Sequence, residues 1–254
     1  MFFVAFKQHF YLFMEIKNYF SPNFNIQKRP TKSIKVIVFH YTGMQSERES
    51  LIRLCSPKFK VSSHYLIGRN GTIYKLVKEN KIAWHAGKSN WGSYKNLNKS
   101  SIGIELVNKG HQFGYTNFTK KQLISLIKIT KNIIKKYKIK NKNIVGHSDI
   151  APLRKIDPGE KFPWREFAKK KIGIWHNHKP DFLKKFRKIN NNKKKDRLKF
   201  IKNLRRIGYY LPKNNKSFLI QTVKSFQRHH RKELINGKID EECLLIAHNL
   251  SKNL

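Results

Sequence analysis

Residues 101–147 read SIGIELVNKGHQFGYTNFTKKQLISLIKITKNIIKKYKIKNKNIVGH, and this stretch indicates the fold class of the chain. It opens with a short β-branched run, Ser101–Val107, and closes with another, Asn143–His147. Between them, apolar residues recur at helical spacing after Thr119, which has capping-box spacing with Gln122. A strand, a helix and a strand in this order predict an α/β domain built on a mixed central sheet.

Patterns nearer the N-terminus extend this sheet. Ser33–His40 (SIKVIVFH) is apolar and β-branched, which is typical of a buried strand that ends on a polar group. The runs Ser63–Ile67 and Thr72–Val77 flank an Asn-Gly pair, which predicts a β-hairpin. Capping-box spacing over Ser46–Glu49 predicts the start of a helix. We therefore expect helices to flank the sheet.

A second, smaller unit is predicted at the C-terminal end. Residues 176–196 are rich in Asn, Lys, His and Pro and lack periodicity, which is typical of a linker. Beyond them, apolar faces at helical spacing, the last preceded by a capping Asp240, predict three short helices. The predicted organisation is an N-terminal extension (1–20), the α/β domain (21–175), the linker (176–196) and a three-helix domain (197–254).

The charge of the chain is strongly positive, at +40 over 254 residues, with 39% hydrophobic residues. That hydrophobic fraction excludes a wholly disordered protein, because it can fill a core. Basic residues exceed acidic ones both before and after residue 180, and most of them are lysine, as an AT-rich coding bias would produce. We therefore expect no specific nucleic-acid partner, with attraction to an anionic polymer as the alternative.

The apolar start of the chain, residues 2–14, is interrupted by Lys7, Gln8 and His9. It is too short to span a membrane and lacks a small-residue cleavage pattern. We therefore expect no transmembrane span and no export signal in this stretch.

Polar residues end two of the predicted strands. His40 ends one and His147 another, and Asp157 follows ten residues later. Two imidazoles and a carboxylate suit zinc and leave its fourth position open, as in catalytic sites. Each residue alone is more often a core histidine or a turn aspartate. His64 lies within a strand-like run, so we expect a core role for it; as a fourth ligand it would close the site.

Several motifs follow one another between Ser21 and Ile174: FHYTGM, SSHYLIGRNGTIYKLV, AWHAGKS, SIGIELVN and GHSDIAPLRKIDPG. In this order they resemble the type 2 zinc-dependent N-acetylmuramoyl-L-alanine amidases, whose fold the peptidoglycan recognition proteins share. The resemblance implies a mixed sheet flanked by helices, one zinc ion per chain and hydrolysis of an amide bond. That bond joins the lactyl group of N-acetylmuramic acid, or its anhydro form, to L-alanine of the stem peptide.

The resemblance also implies a role for particular residues. It matches His40, His147 and Asp157 to the zinc ligands. It matches Glu105 to the acid associated with catalysis, which can accept a proton from water and pass it to the leaving amine. Lys155 matches the cation near the scissile carbonyl, where it can stabilise the developing oxyanion.

Substrate contacts are expected from a second set of residues. Trp84, His85 and Ala86 resemble the family's groove wall, where an aromatic face and small residues suit a sugar-peptide. For His85, the alternative is a histidine packed within its loop. Tyr41 follows the first ligand and is expected beside the metal. Arg154 is expected to clamp a stem-peptide carboxylate, with a solvated surface position as the alternative.

The C-terminal stretch resembles the three-helix peptidoglycan-binding module. The resemblance is carried by LKFIKNLRRIGYYLP, FLIQTVKSFQRHHR and INGKIDEECLLIAHNL. It implies a unit that binds the peptidoglycan polymer. The alternative is a helical cap that packs on the α/β domain.

The expected protein is a monomeric bacterial zinc amidase acting on peptidoglycan or muropeptides. The main alternative is a recognition protein that keeps the substrate groove but does not hydrolyse what it binds. A peptidoglycan-binding module favours the cell envelope or periplasm, whereas the missing export signal favours cytoplasmic turnover fragments. We expect the envelope.

Overall fold

The computed structural model describes residues 16–189 and 193–254; the apolar start at residues 2–14 lies outside the described residues. The strands are β1 (Ile16–Asn18), β2 (Phe24–Asn25), β3 (Val36–Tyr41), β4 (Tyr65–Ile67), β5 (Ile73–Lys75), β6 (Ile82–Ala83), β7 (Asn90–Trp91), β8 (Tyr94–Lys95), β9 (Ser101–Leu106) and β10 (Ile144–Gly146). The α-helices are α1 (Glu47–Cys55), α2 (Lys120–Tyr137), α3 (His147–Ile150), α4 (Trp164–Lys169), α5 (Pro180–Lys184), α6 (Lys194–Ile207), α7 (Lys216–His230) and α8 (Glu241–Lys252).

The central sheet is mixed, as predicted. Its strand order is β1-β5-β4-β9-β3-β10. The neighbours β4, β9, β3 and β10 run parallel, and β4 and β5 form the predicted antiparallel hairpin. At the edge, β1 pairs in parallel with β5, so the sheet includes residues that the sequence placed in an N-terminal extension.

Strand β3 separates two cores. Val36 and Val38 belong to one hydrophobic cluster, whereas the alternate residues Ile37 and Phe39 belong to another. Because side chains of a strand alternate between the two faces of the sheet, this strand is apolar throughout. One face packs against α2, and the other packs against the C-terminal helices.

The predicted helix starts are present. Thr119 caps α2 by accepting a hydrogen bond from the Gln122 amide, and the Gln122 side chain completes the capping box. Ser46 caps α1 by accepting from the Glu49 amide. Asp240 caps α8 in the same way. These caps satisfy backbone N–H groups that have no partner inside their own helix.

The three predicted C-terminal helices are α6, α7 and α8. Their Phe200 and Phe226 lie in the same hydrophobic cluster as Val36 and Val38 of the sheet. This unit therefore shares a core with the α/β domain, which the linker-like composition of residues 176–196 did not indicate. That segment contains α5, whose Leu183 is only 3% exposed and joins the shared cluster.

Over residues 16–189 and 193–254, no helix has the length and apolar character needed to cross a membrane.

Candidate metal centre

Parallel strands bring the two predicted histidine ligands together. His40 is the fifth residue of β3, and His147 directly follows β10 as the first residue of α3. The two strands pair in parallel, with Gly146 opposite Phe39. Both imidazoles therefore emerge at the carboxyl ends of neighbouring strands, which is where sites in α/β sheets collect.

The third predicted ligand arrives on the loop after α3. The amide of Ser148 donates to the carbonyl of Asp157 at 2.9 Å, which anchors this loop beside the two strands. The Asp157 Oδ2 atom lies 3.0 Å from Nδ1 of His40 and 3.2 Å from Nδ1 of His147. The two Nδ1 atoms are 3.0 Å apart.

This arrangement fits a metal ion. The three residues are buried, and each offers one ligand atom to the same point. Zinc bonds of about 2.0–2.2 Å in tetrahedral geometry place neighbouring ligand atoms about 3.3 Å apart, close to the spacing found here. Two imidazoles with one carboxylate are also a donor set that zinc prefers.

The charges of these groups suit a cation. Burial lowers the pKa of His40 to about 4, which leaves its imidazole neutral and able to donate a lone pair. Burial alone would raise the pKa of Asp157, but the His147 and His40 imidazoles outweigh it and hold that pKa well below its ordinary value. The centre therefore combines the neutral imidazole of His40, the imidazole of His147 and one carboxylate.

Glu105 lies beside this centre. It stands opposite His40 in the register between β9 and β3 and is 8% exposed. Burial, reinforced by the charge of Asp157, raises its pKa to about 8. Its Oε2 has no hydrogen-bond partner within the described residues. A buried carboxyl group with a free oxygen is a suitable proton acceptor near neutral pH.

A cavity of about 420 Å³ opens over the centre. It is lined by the three candidate ligands together with Glu105, Tyr41, Arg154 and Lys155. The structure therefore brings both residues matched to catalysis to one cavity with the candidate metal ligands. The charge of Lys155 reaches the Glu105 carboxyl group, where it partly opposes the rise in pKa.

Arg154 and Tyr41 also make contacts of their own. Arg154 donates to the carbonyl of Ala86 through Nη2 and to that of Lys88 at 2.8 Å. The Tyr41 hydroxyl lies 2.8 Å from Nδ1 of His111, and burial raises the pKa of Tyr41 to about 12. Tyr41 is therefore a neutral phenol at the mouth of the cavity.

The motif expected to form the groove wall is placed differently. Among the described residues, Trp84 and Ala86 do not line the cavity. The Trp84 indole donates to Asn25 at 2.6 Å, and the Ala86 carbonyl lies 3.2 Å from Nε2 of His147. His85 lines the cavity, yet both of its ring nitrogens bond within the protein.

His64 lies behind His85, with ring centroids 5.7 Å apart. Its Nδ1 accepts a hydrogen bond from the Gly103 amide at 3.0 Å. His64 is therefore a core residue, as expected, and its Nδ1 is not free to bind a metal.

The structure also shows residues that the sequence analysis did not single out. His111 bonds Tyr41 through Nδ1 and the Glu160 carboxylate through Nε2, the latter at 3.0 Å. Glu160 lies 3.8 Å from Arg228 of α7. This polar chain joins the rim of the cavity to the helical unit. Its members are far apart in sequence and share no spacing that would have revealed them.

Comparison with known proteins is consistent with this geometry. Residues 30–160 match the family model described as N-acetylmuramoyl-L-alanine amidase. The chain is 38% identical over 231 residues to the N-acetylmuramoyl-L-alanine amidase AmiD of Escherichia coli (strain K12), an alignment that covers 85% of this chain and 82% of AmiD. It is 38% identical over 165 residues to the 1,6-anhydro-N-acetylmuramyl-L-alanine amidase AmpD of Haemophilus influenzae, covering 58% of this chain and 87% of AmpD.

A solved structure is similar over most of the chain. It is the complex of E. coli AmiD with the substrate anhydro-N-acetylmuramic acid-L-Ala-D-gamma-Glu-L-Lys. The TM-score is 0.77 at 34% identity, with 90% of this chain and 92% of the AmiD chain covered. The similarity therefore extends beyond the α/β domain into the helical unit.

Proposed function

The chain belongs to the N-acetylmuramoyl-L-alanine amidase family, and we propose that it is a zinc enzyme acting on muropeptides. It hydrolyses the amide bond between N-acetylmuramic acid and L-alanine. The observation that carries the zinc proposal is the convergence of His40, His147 and Asp157 on one point, within a cavity that Glu105 also lines. A recognition protein without turnover has no need of a buried carboxyl group at this position.

Zinc is the proposed metal, with His40, His147 and Asp157 as its ligands. When bound, it supplies a Lewis acid that polarises the scissile carbonyl and lowers the pKa of the attacking water. The cavity on the open side of these three residues gives the substrate access to the centre.

Glu105 is the proposed general base and then the general acid. Its carboxylate accepts the proton of the attacking water at Oε2, the oxygen without a partner in the described residues. It then passes that proton to the nitrogen of L-alanine, which leaves as a neutral amine. Burial favours the first of these two transfers, because it stabilises the protonated form of the carboxyl group.

Lys155 is the proposed stabiliser of the oxyanion. Its ammonium lines the cavity close enough to influence Glu105, so it can oppose the negative charge that develops on the carbonyl oxygen. Because the site is largely buried, this interaction is stronger than the same contact would be in water.

Arg154 and Tyr41 are the proposed substrate contacts in the cavity. Arg154 holds the backbone at Ala86 and Lys88 through Nη2 and Nε, which leaves Nη1 as the donor proposed for a stem-peptide carboxylate. Tyr41 offers a neutral hydroxyl at the mouth. Trp84, outside the cavity lining, stays a predicted contact for the sugar.

Small muropeptides, including the anhydro form, are the proposed substrates. A cavity of about 420 Å³ falls within the ordinary range for small-molecule sites, roughly 300–1,000 Å³. The structure of AmiD, with which this chain aligns over most of its length, holds an anhydro-muropeptide.

We also propose a role for the helical unit and a compartment for the enzyme. The core that this unit shares with the sheet supports a role as a helical cap on the α/β domain. The resemblance of its sequence to the peptidoglycan-binding module supports binding of the peptidoglycan polymer. Because of that resemblance to a peptidoglycan-binding module, we propose that the enzyme acts at the cell envelope. We also propose that it is a monomer. Cell fractionation and light scattering test these two points; enzyme confined to the cytoplasm would favour turnover fragments as the substrate.

The reaction is tested with purified muropeptides, with and without the anhydro end, incubated with zinc-loaded or chelator-treated protein. Mass spectrometry is expected to detect free stem peptide only with the zinc-loaded protein. Zinc binding without release from either substrate would favour the recognition protein instead.

A further inference from the structure

One face of β9 lies beside the metal centre. Ser101, Gly103 and Glu105 alternate along the strand and therefore point to the same side of the sheet. The ring of His85 lies directly over Gly103: a Cβ atom at that position would be 2.4 Å from Cγ of His85. The glycine thus leaves the space in which the imidazole packs between Ser101 and the metal centre.

His85 uses both of its ring nitrogens inside the protein. Its Nδ1 lies 3.0 Å from Nε2 of His40, and its Nε2 lies 3.1 Å from Oγ of Ser101. Because the residue is only 6% exposed, neither nitrogen is available to a substrate without breaking one of these bonds. The ring is thus held from both ends.

The positions of the hydrogen atoms in these side-chain contacts follow from Ser101. Its hydroxyl lies 2.5 Å from the Leu97 carbonyl, which can only accept, so the single hydroxyl hydrogen points there. Ser101 therefore accepts a hydrogen bond from Nε2–H of His85. A neutral imidazole has one N–H, so Nδ1 of His85 is an acceptor and receives Nε2–H of His40. The Nδ1 of His40 is left with a bare lone pair.

We propose that Ser101 and His85 are positioning residues for the metal centre. The Leu97–Ser101–His85–His40 hydrogen-bond chain fixes His40 in the tautomer whose Nδ1 lone pair faces His147 and Asp157. This inference rests on the proposed zinc site and adds residues that act through His40 without touching the metal. Outer hydrogen bonds of this kind orient a metal-binding imidazole and raise its basicity.

Ala86, the residue after His85, orients the imidazole of His147. The carbonyl of Ala86 lies 3.2 Å from Nε2 of His147, so it accepts Nε2–H and leaves Nδ1 of His147 with its lone pair. Two consecutive residues, His85 and Ala86, therefore orient both histidine ligands. This accounts for a motif that the sequence analysis had assigned to the substrate groove.

A matched pair of variants tests the proposal. Asparagine and leucine have similar shapes, but only asparagine keeps an acceptor near the position of Nδ1. We expect His85→Leu to weaken zinc binding by about 10–100-fold and His85→Asn to weaken it less, measured by competition with a chromophoric chelator. Zinc binding by His85→Leu equal to that of the wild type would overturn the proposal, as would a rise in KM alone.

A second measurement begins with the unaltered protein, so that its first result does not depend on the folding of a variant. Long-range 1H–15N spectra of histidine-labelled protein, with and without zinc, report which ring nitrogen carries hydrogen. We expect hydrogen on Nε2 of both His40 and His85, and a shift of the His85 tautomer in Ser101→Ala. Hydrogen on Nδ1 of His85 would contradict the inference. Failure of the wild type to bind zinc would instead contradict the proposed function.

Discussion

The carboxylate of Asp149, two residues after His147, accepts a hydrogen bond from Nδ1 of His229 at 2.7 Å. Its other oxygen accepts from the hydroxyls of Tyr209, at 2.9 Å, and Ser225, at 3.0 Å. All three donors belong to the helical unit. Burial alone would raise the pKa of Asp149, but His229 outweighs it and lowers that pKa. The helical unit is therefore bonded to the short helix that carries a candidate metal ligand.

Removing one of these donors should destabilise the whole chain. In Tyr209→Phe, a buried carboxylate loses a hydrogen bond, and we expect the free energy of unfolding to fall by about 1–3 kcal/mol. Urea denaturation measures the change. Tyr210→Phe is the matched control, because that side chain is 43% exposed. Equal effects of the two substitutions would show that the Asp149 contact contributes nothing.

Asp157→Ala should remove both metal and activity. The substitution deletes the carboxylate on which both imidazoles converge and leaves only the two imidazoles as ligands. We expect zinc content well below one per chain and loss of most turnover, measured by elemental analysis and peptide release. Asp181→Ala, on the exposed surface of α5, is the control. Full zinc occupancy in Asp157→Ala would mean that the ligand set is wrong.

Lys155→Gln should lower kcat without changing zinc content. The variant loses the positive charge that we propose opposes the oxyanion, and we expect a loss of about 100-fold. Lys109→Gln is the matched control, since Lys109 lines the same cavity. If both variants raised KM alike and left kcat unchanged, the two lysines would act only by attracting an anionic substrate.

The metal-free protein should lose stability as the pH rises. The pKa of Glu105 is about 8 when folded and 4.5 ordinarily, so below pH 4.5 both states hold the proton. Between these values only the unfolded state releases it, so the folded state loses stability steadily up to about pH 8 and remains at that lower stability above it.

Glu105→Gln should therefore gain stability relative to the wild type across this window, by on the order of 3 kcal/mol. Denaturation of chelator-treated protein at several pH values measures the difference, with Glu166→Gln, whose side chain on α4 is 59% exposed, as control. A difference independent of pH would show that Glu105 ionises in the folded protein much as it does in water.

The sequence predicted the sheet well because local signals and burial agree there. The Asn-Gly turn, the Thr119 capping box and the apolar runs each specify one local structure. Residues 176–196 were harder, because Leu183 is the only buried hydrophobic residue among the described residues of this polar segment, and one such residue gives no periodicity to detect. Sharing of a core between two units is likewise a tertiary property that no local pattern encodes.

The candidate site was predictable where strand ends determine position. His40 and His147 end neighbouring parallel strands, and the family motif supplied Asp157. The partners of His85 were less accessible, although the alternation of Ser101, Gly103 and Glu105 on one strand was a usable signal. The contacts to Asp149 depend on three residues of the helical unit that come together only in the folded chain.

Measuring both zinc content and turnover of Glu105→Gln on one preparation tests the proposed proton transfer. Because the Glu105 side chain is not a proposed ligand, one zinc per chain should remain. Turnover of anhydro-muropeptide should fall by about 10²–10⁴-fold, since no carboxylate is left to accept the proton of water. Turnover near the wild-type rate at full zinc occupancy would show that Glu105 does not transfer the proton.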